Sequence, residues 1–220
     1  QASGNEHRRT SRLFIYYGIA VAVVWTVMIG LFLLWHDHLL EEGAVDTARI
    51  EARAIFQSHA IYRAWNAMHR GVYARVTEQT QPNPYLKTEE RDITTPSGIS
   101  LTMINPDYMV RQVNELARKD FMLISHITSL NPIRPENKAD EWETKALLEF
   151  ENGVEEVSSI EMVDNANHLR LMRPLVAKKS CITCHAEQGY KVGDILGGIS
   201  FAVPLAQHKS IHAAHNKGMY

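Results

Sequence analysis

The sequence predicts an α+β fold carried on a membrane-spanning helix. Three observations lead there: an uncharged apolar run at 13–35, a long Pro-free helical stretch behind it, and then short β-branched runs alternating with amphipathic helices and turn signals. The 220 residues suffice for one domain of ordinary size with an appendage. A formal net charge of -2, with no basic stripe beyond the first dozen positions, argues against a nucleic-acid binder.

The apolar run, LFIYYGIAVAVVWTVMIGLFLLW, comes first. At about 1.5 Å per residue, a helix of this length covers the ~30 Å hydrocarbon core of a bilayer. Phe14, Tyr16 and Tyr17 at one edge and Trp35 at the other stand where aromatic side chains anchor in the interface. A cleaved signal peptide has a shorter apolar core and a small-residue cleavage site, whereas HDHLLEEG follows here. His7, Arg8, Arg9 and Arg12 precede the run, and Asp37, Glu41 and Glu42 follow it. The basic tail, 1–12, is therefore expected in the cytoplasm, with everything from about residue 36 outside. The first residue is Gln rather than Met, as expected of a processed or excised piece.

Residues 36–72 read as a helical stalk. Val45, Ala48, Ala52, Ile55, His59 and Tyr62 recur at spacings of three and four and so share one face, to be covered by the chain's own domain or by a parallel homodimer. Gly71 marks the end of the helix and QTQPNPYL a loop. RDITTPSGISLTMI predicts a hairpin around Ser97 and Gly98. In NPDYMVRQVNELARK, Asn105 is a cap, Pro106 suits the first helical position, and Val110, Val113 and Leu116 share a face. FMLISHITSL is strand-like. A Pro-rich loop then leads into a helix with Trp142, Ala146, Leu147 and Phe150 inward, stopped by Gly153. EEVSSIEMV and HLRLMRPLVA flank the turn Asp164–Asn167 as a second hairpin, and GGISFAVPL supplies the last strand. The working division is 73–205 for the domain and 206–220 for a juxtamembrane tail.

Both cysteines of the chain lie in SCITCHA, three apart, with a histidine directly after the second. Cys-x-x-Cys-His is the attachment signature of a c-type haem. Two thiols at this spacing reach the two vinyl groups on one porphyrin edge, and the next residue then lies beneath the ring. Cys181 and Cys184 would thus hold one covalent haem c, with His185 as proximal iron ligand. A structural disulfide would not need the histidine. A thioredoxin-like pair would follow a βαβ strand, and a zinc site needs further ligands at standard spacing. The outward topology agrees with haem c, which is attached on the extracytoplasmic side.

RAWNAMHRGVY, QPNPYL, INPDYMVRQVNEL, HITSLNPIRPENKADEWE, RLMRPL and CITCHAEQGYKVGDILGGISFAVPL together resemble one family. It is that of c-haem-containing, PAS-like extracytoplasmic domains at the N-termini of bacterial histidine kinases, diguanylate cyclases and chemoreceptors. The resemblance covers about 45–205. It implies a PAS-like antiparallel sheet with flanking helices, an inner-membrane anchor with the haem domain in the periplasm, and a signalling output domain, which this chain does not contain.

A sensor of a diatomic gas or of redox state needs an open or displaceable sixth iron position. Met109 is the first choice and His69, at the break of the stalk helix, the runner-up, with His59, His126 and His168 further candidates. GYKVGDILGG would wrap the haem, and Tyr190 and Lys191 stand where a propionate is met or an ordinary turn is made. The alternative reading is a membrane-anchored monohaem cytochrome that relays electrons to a redox partner. No catalytic constellation accompanies the haem motif, so no enzyme is expected.

Overall fold

Apolar run and stalk form a single element, α1, over Ala2–Met68. The structure, a computed structural model, describes residues 2–121, 123–208 and 210, with the side chains of all these except 2–13, 121, 183, 184 and 186. Internal contacts divide the chain after Val45. In the first unit α1 exposes its large apolar side chains from Phe14 to Trp35. Among the described residues it is the one helix long and apolar enough to cross a membrane.

The second unit, Asp46–His208, begins with the rest of α1. Here the predicted stripe faces inward: Ala48, Ala52 and His59 are buried, while Tyr62, the last member, is half exposed. The ring of His59 lies 5.4 Å from that of Phe201, and Arg53 grips Glu156 with two bonds of 2.8 and 2.9 Å. The chain's own sheet therefore covers this face. Arg70 (φ 60°) takes the left-handed position that ends the helix, and Gly71 N–H returns to Asn66 C=O at 3.0 Å while Arg70 N–H meets Ala67 C=O at 3.1 Å. That is a Schellman closure.

Two antiparallel sheets follow. The smaller has β1 (Val72–Arg75), β2 (Asp92–Thr94) and β3 (Ser100–Ile104) in the order β1-β3-β2. The hairpin around Gly98 (φ 82°) is present. Strand β1 was not legible, because four residues between a helix end and a loop carry little periodicity. It forms by pairing with β3, Val72 opposite Ile104. Helix α2 (Pro106–Phe121) starts where expected, with Asn105 Oδ1 accepting from Tyr108 N–H at 2.9 Å. Its expected apolar face holds only in part. Val110 is buried, Val113 half-buried and Leu116 62% exposed, while Asn114, Glu115 and Arg118 in the second half of α2 line a cavity.

The larger sheet has the order β4-β7-β6-β5, from β4 (Ile124–Thr128), β5 (Val157–Val163), β6 (Ala166–Val176) and β7 (Ile195–Pro204). Asp164 and Asn165, both at positive φ, make the two-residue turn between β5 and β6. Helix α3 (Glu141–Glu151) opens with a capping box between Asp140 and Glu143. Its Ala146, Leu147 and Phe150 pack on Met172 of β6, with Trp142, Val157 and Ile195 at the margin. Leu169, Leu171, Ile199, Phe201 and Val203 complete the buried core along β6 and β7. A short helix, α4 (Lys179–His185), links β6 to β7.

Candidate functional site

The cysteine motif forms α4 itself, so His185 closes a helix held against the end of the larger sheet. Ala177 and Asp194 clamp the two chains entering and leaving this link, with Ala177 N–H on Asp194 C=O at 2.8 Å and Gly193 N–H on Ala177 C=O at 2.9 Å. Lys191 N–H donates to Asp194 Oδ2 at 2.7 Å, so the Gly-rich stretch closes as an ordered turn. Lys191 takes no part in the wall of the cavity next to it, whereas Tyr190 does, with its ring edge-on to His185 at 6.3 Å.

That cavity is about 970 Å³, at the upper end of the range for cofactor pockets. His185 lines it, together with residues of α1, β3, α2 and β4. His185 Nδ1 lies 2.6 Å from Gln188 Oε1, and Gln188 Nε2 donates to the Asn131 carbonyl at 2.8 Å. The second contact fixes which end of the amide faces the histidine. An amide oxygen can only accept, so Nδ1 carries the proton and Nε2 keeps its lone pair. Metal-binding imidazoles are prepared in this way. Cys181, half-buried and free, lies one turn back on α4 and off the cavity wall, its Sγ accepting from Lys178 N–H at 3.4 Å. The Cys184 side chain lies outside the described residues.

The proposed sixth ligands are distributed differently. Met109 does not line the cavity; it turns to α1, where Asn66 Nδ2 approaches its sulfur at 3.8 Å. The His69 ring lies tilted against that of Trp65, centroids 4.6 Å apart, also off the wall. His59 and His168 are buried elsewhere. His126 does reach the wall, but Nδ1 is 3.0 Å from both Glu143 oxygens and Nε2 is 3.0 Å from the Glu136 carbonyl. With acceptors at both nitrogens, His126 is an imidazolium. Its pKa is raised, first by the Glu143 hydrogen bond and against the cost of burial.

Several wall residues went unnoticed in the sequence. Arg63 of α1 pairs with Asp107 of α2 on the cavity wall. Desolvation works to raise the Asp107 carboxyl, but the Arg63 charge and hydrogen bond bring it below its ordinary value. Gln188 was findable in principle, as an amide three residues beyond the histidine on the same helical stretch. Met103 of β3, also on the wall, carried no signal beyond being an apolar residue in a strand.

An antiparallel sheet flanked by helices is the architecture of a PAS-like domain. The chain belongs to the Tll0287-like family, whose profile matches residues 41–204, and is thereby an extracytoplasmic PAS-like sensor domain related to Tll0287. The family's domains are non-catalytic. Among solved structures the chain is similar to that of the cyanobacterial heme-protein Tll0287, at 14% sequence identity over 74% of this chain and 94% of that one, with a TM-score of 0.45. A search of curated proteins returns no match.

Proposed function

We propose that the chain is a membrane-anchored haem c sensor module, facing the periplasm, that detects a diatomic gas or a redox change and passes it to a signalling output domain. The observation that carries this reading is His185: its Nδ1 proton is spoken for by Gln188, and its Nε2 lone pair belongs to a residue on the wall of a haem-sized cavity. Cys181 and Cys184 would hold the porphyrin edge from α4, the helix that ends in His185. Haem would supply an iron that binds small gases and changes oxidation state. The protein's part is to orient His185, to keep Arg63 and Asp107 paired beside it, and to link that wall to α1, which contributes Arg63. Met109 remains the first choice of the sequence for the sixth position and His69 the second, although neither side chain lines the cavity. A homodimer through the stalk would use the outward face of α1, where Ile50, Ile61, Trp65 and Met68 are exposed, and a second copy anchored in the same membrane is the occupant that fits it.

The test is attachment followed by gas binding. Chain matured with periplasmic haem-attachment machinery should keep its colour through acidic acetone and give a two-thioether pyridine haemochrome. Its ferrous Soret band should shift with carbon monoxide or nitric oxide. Unchanged haem retention in the Cys181→Ala/Cys184→Ala chain would refute attachment, and a six-coordinate ferrous form indifferent to both gases would favour an electron carrier.

A further inference from the structure

Resting on the haem reading, we infer that Met103 of β3 is the protein's sixth iron ligand. Haem iron in proteins is held by His, Cys, Met or Tyr side chains. On the cavity wall the described histidines are His185, the proximal ligand, and His126, whose two nitrogens are both engaged. Tyr108 donates its hydroxyl to the Gln81 carbonyl at 2.7 Å, and the Tyr190 ring lies edge-on to His185. Tyr85 sits on an irregular segment and is 37% exposed. Met103 is the sole thioether among the described wall residues, since Met109 faces Asn66.

The local structure makes room for it. Gly71 follows the end of α1 with φ 98°, and a Cβ added there would fall 2.9 Å from Met103 Cγ and 3.1 Å from its Sδ. Any other residue at 71 would therefore press on the thioether. Strand β3 is paired on both sides, by β1 and β2, which fixes the Met103 backbone. Through Gly71 the thioether also touches the link between α1 and β1. A gas that displaces it would act on the residues that end the stalk helix.

Thioether ligation of ferric haem gives a weak long-wavelength charge-transfer band, and in the ferrous state a strongly upfield-shifted methionine methyl resonance. The ferric wild-type chain, with attachment verified by its haemochrome, should show the band. Met103→Leu should abolish it while retaining covalent haem, and Met109→Leu should keep it. A band that survives Met103→Leu, or is absent from the wild type with attached haem, overturns the assignment without touching the haem reading. Failure of attachment itself overturns both. If Met103→Leu does not accumulate, the upfield methyl in Met109→Leu decides: its presence supports Met103 and its loss refutes it.

Discussion

His59 sits on α1 with 4% of its surface exposed and an Nδ1 that has no hydrogen-bond partner. Burial first, and the Arg63 charge second, push its pKa down to about 4. In the unfolded chain the imidazole titrates near ~6.5. Between these values the unfolded state binds more protons, so stability falls as the pH drops from 6.5 to 4. At about 1.4 kcal/mol per pH unit the loss is roughly 3 kcal/mol. His59→Leu should flatten this window, measured as urea midpoints of the detergent-solubilised chain against pH. An undiminished acid slope in the variant would mean that another group carries it. The sequence put His59 on the right stripe, but only its neighbour Phe201 on β7 explains why it is kept neutral.

At the scale of elements, α3 is tied to the larger sheet through Glu143, which is completely buried. Its oxygens take Ser200 Oγ at 2.5 Å, Arg170 at 3.1 Å, the Asp140 N–H at 3.1 Å and His126 at 3.0 Å. Burial opposes the charge, yet His126, Ser200 and the Asp140 N–H hold the carboxyl at about 2. Its contribution is intact above the unfolded value and is lost as the pH falls toward 2, below the window of His59. The His126 contribution is full below its unfolded value and fades as the pH rises through its raised pKa. Glu143→Ala leaves His126 and Arg170 facing an empty acceptor and should cost on the order of 3–5 kcal/mol in denaturant unfolding. A loss below 1 kcal/mol, of the size seen for exposed ion pairs, would show that water replaces the carboxylate readily. The sequence predicted the helix and its inward apolar residues through local periodicity. It did not reveal Glu143 as buried, because a carboxylate three residues after Asp140 is also what an exposed capping box contains.

For the whole molecule, the arrangement of charges around 13–35 sets an expected topology. Alkaline phosphatase fused after residue 205 should be active in cells, because Arg8, Arg9 and Arg12 retain the N-terminus inside. An inactive fusion there, with an active cytoplasmic reporter at the same point, would reverse it. The stalk connects this topology to the sensor domain. Its inward stripe is covered by the domain's own sheet, while Ile50, Ile61, Trp65 and Met68 are exposed.

What the sequence by itself determined is local chemistry. The Cys181, Cys184 and His185 spacing, the uncharged run, the Asn105 cap, the turn at Asp164 and Asn165 and the alternation of β6 each depend on residues a few positions apart. Tertiary structure decided what depends on distant partners. Strand β1 exists because β3 pairs with it, and the stripe on α1 is covered because Phe201 lies there. The proton on His185 is assigned through Gln188 by the Asn131 carbonyl, 57 residues earlier. For the iron, the sequence offers Met109 through its place near the start of a short packed helix and its thioether chemistry; that its sulfur faces Asn66 while Met103 stands on the cavity wall is a matter of tertiary contacts, which the pattern of residues on a helix does not reach.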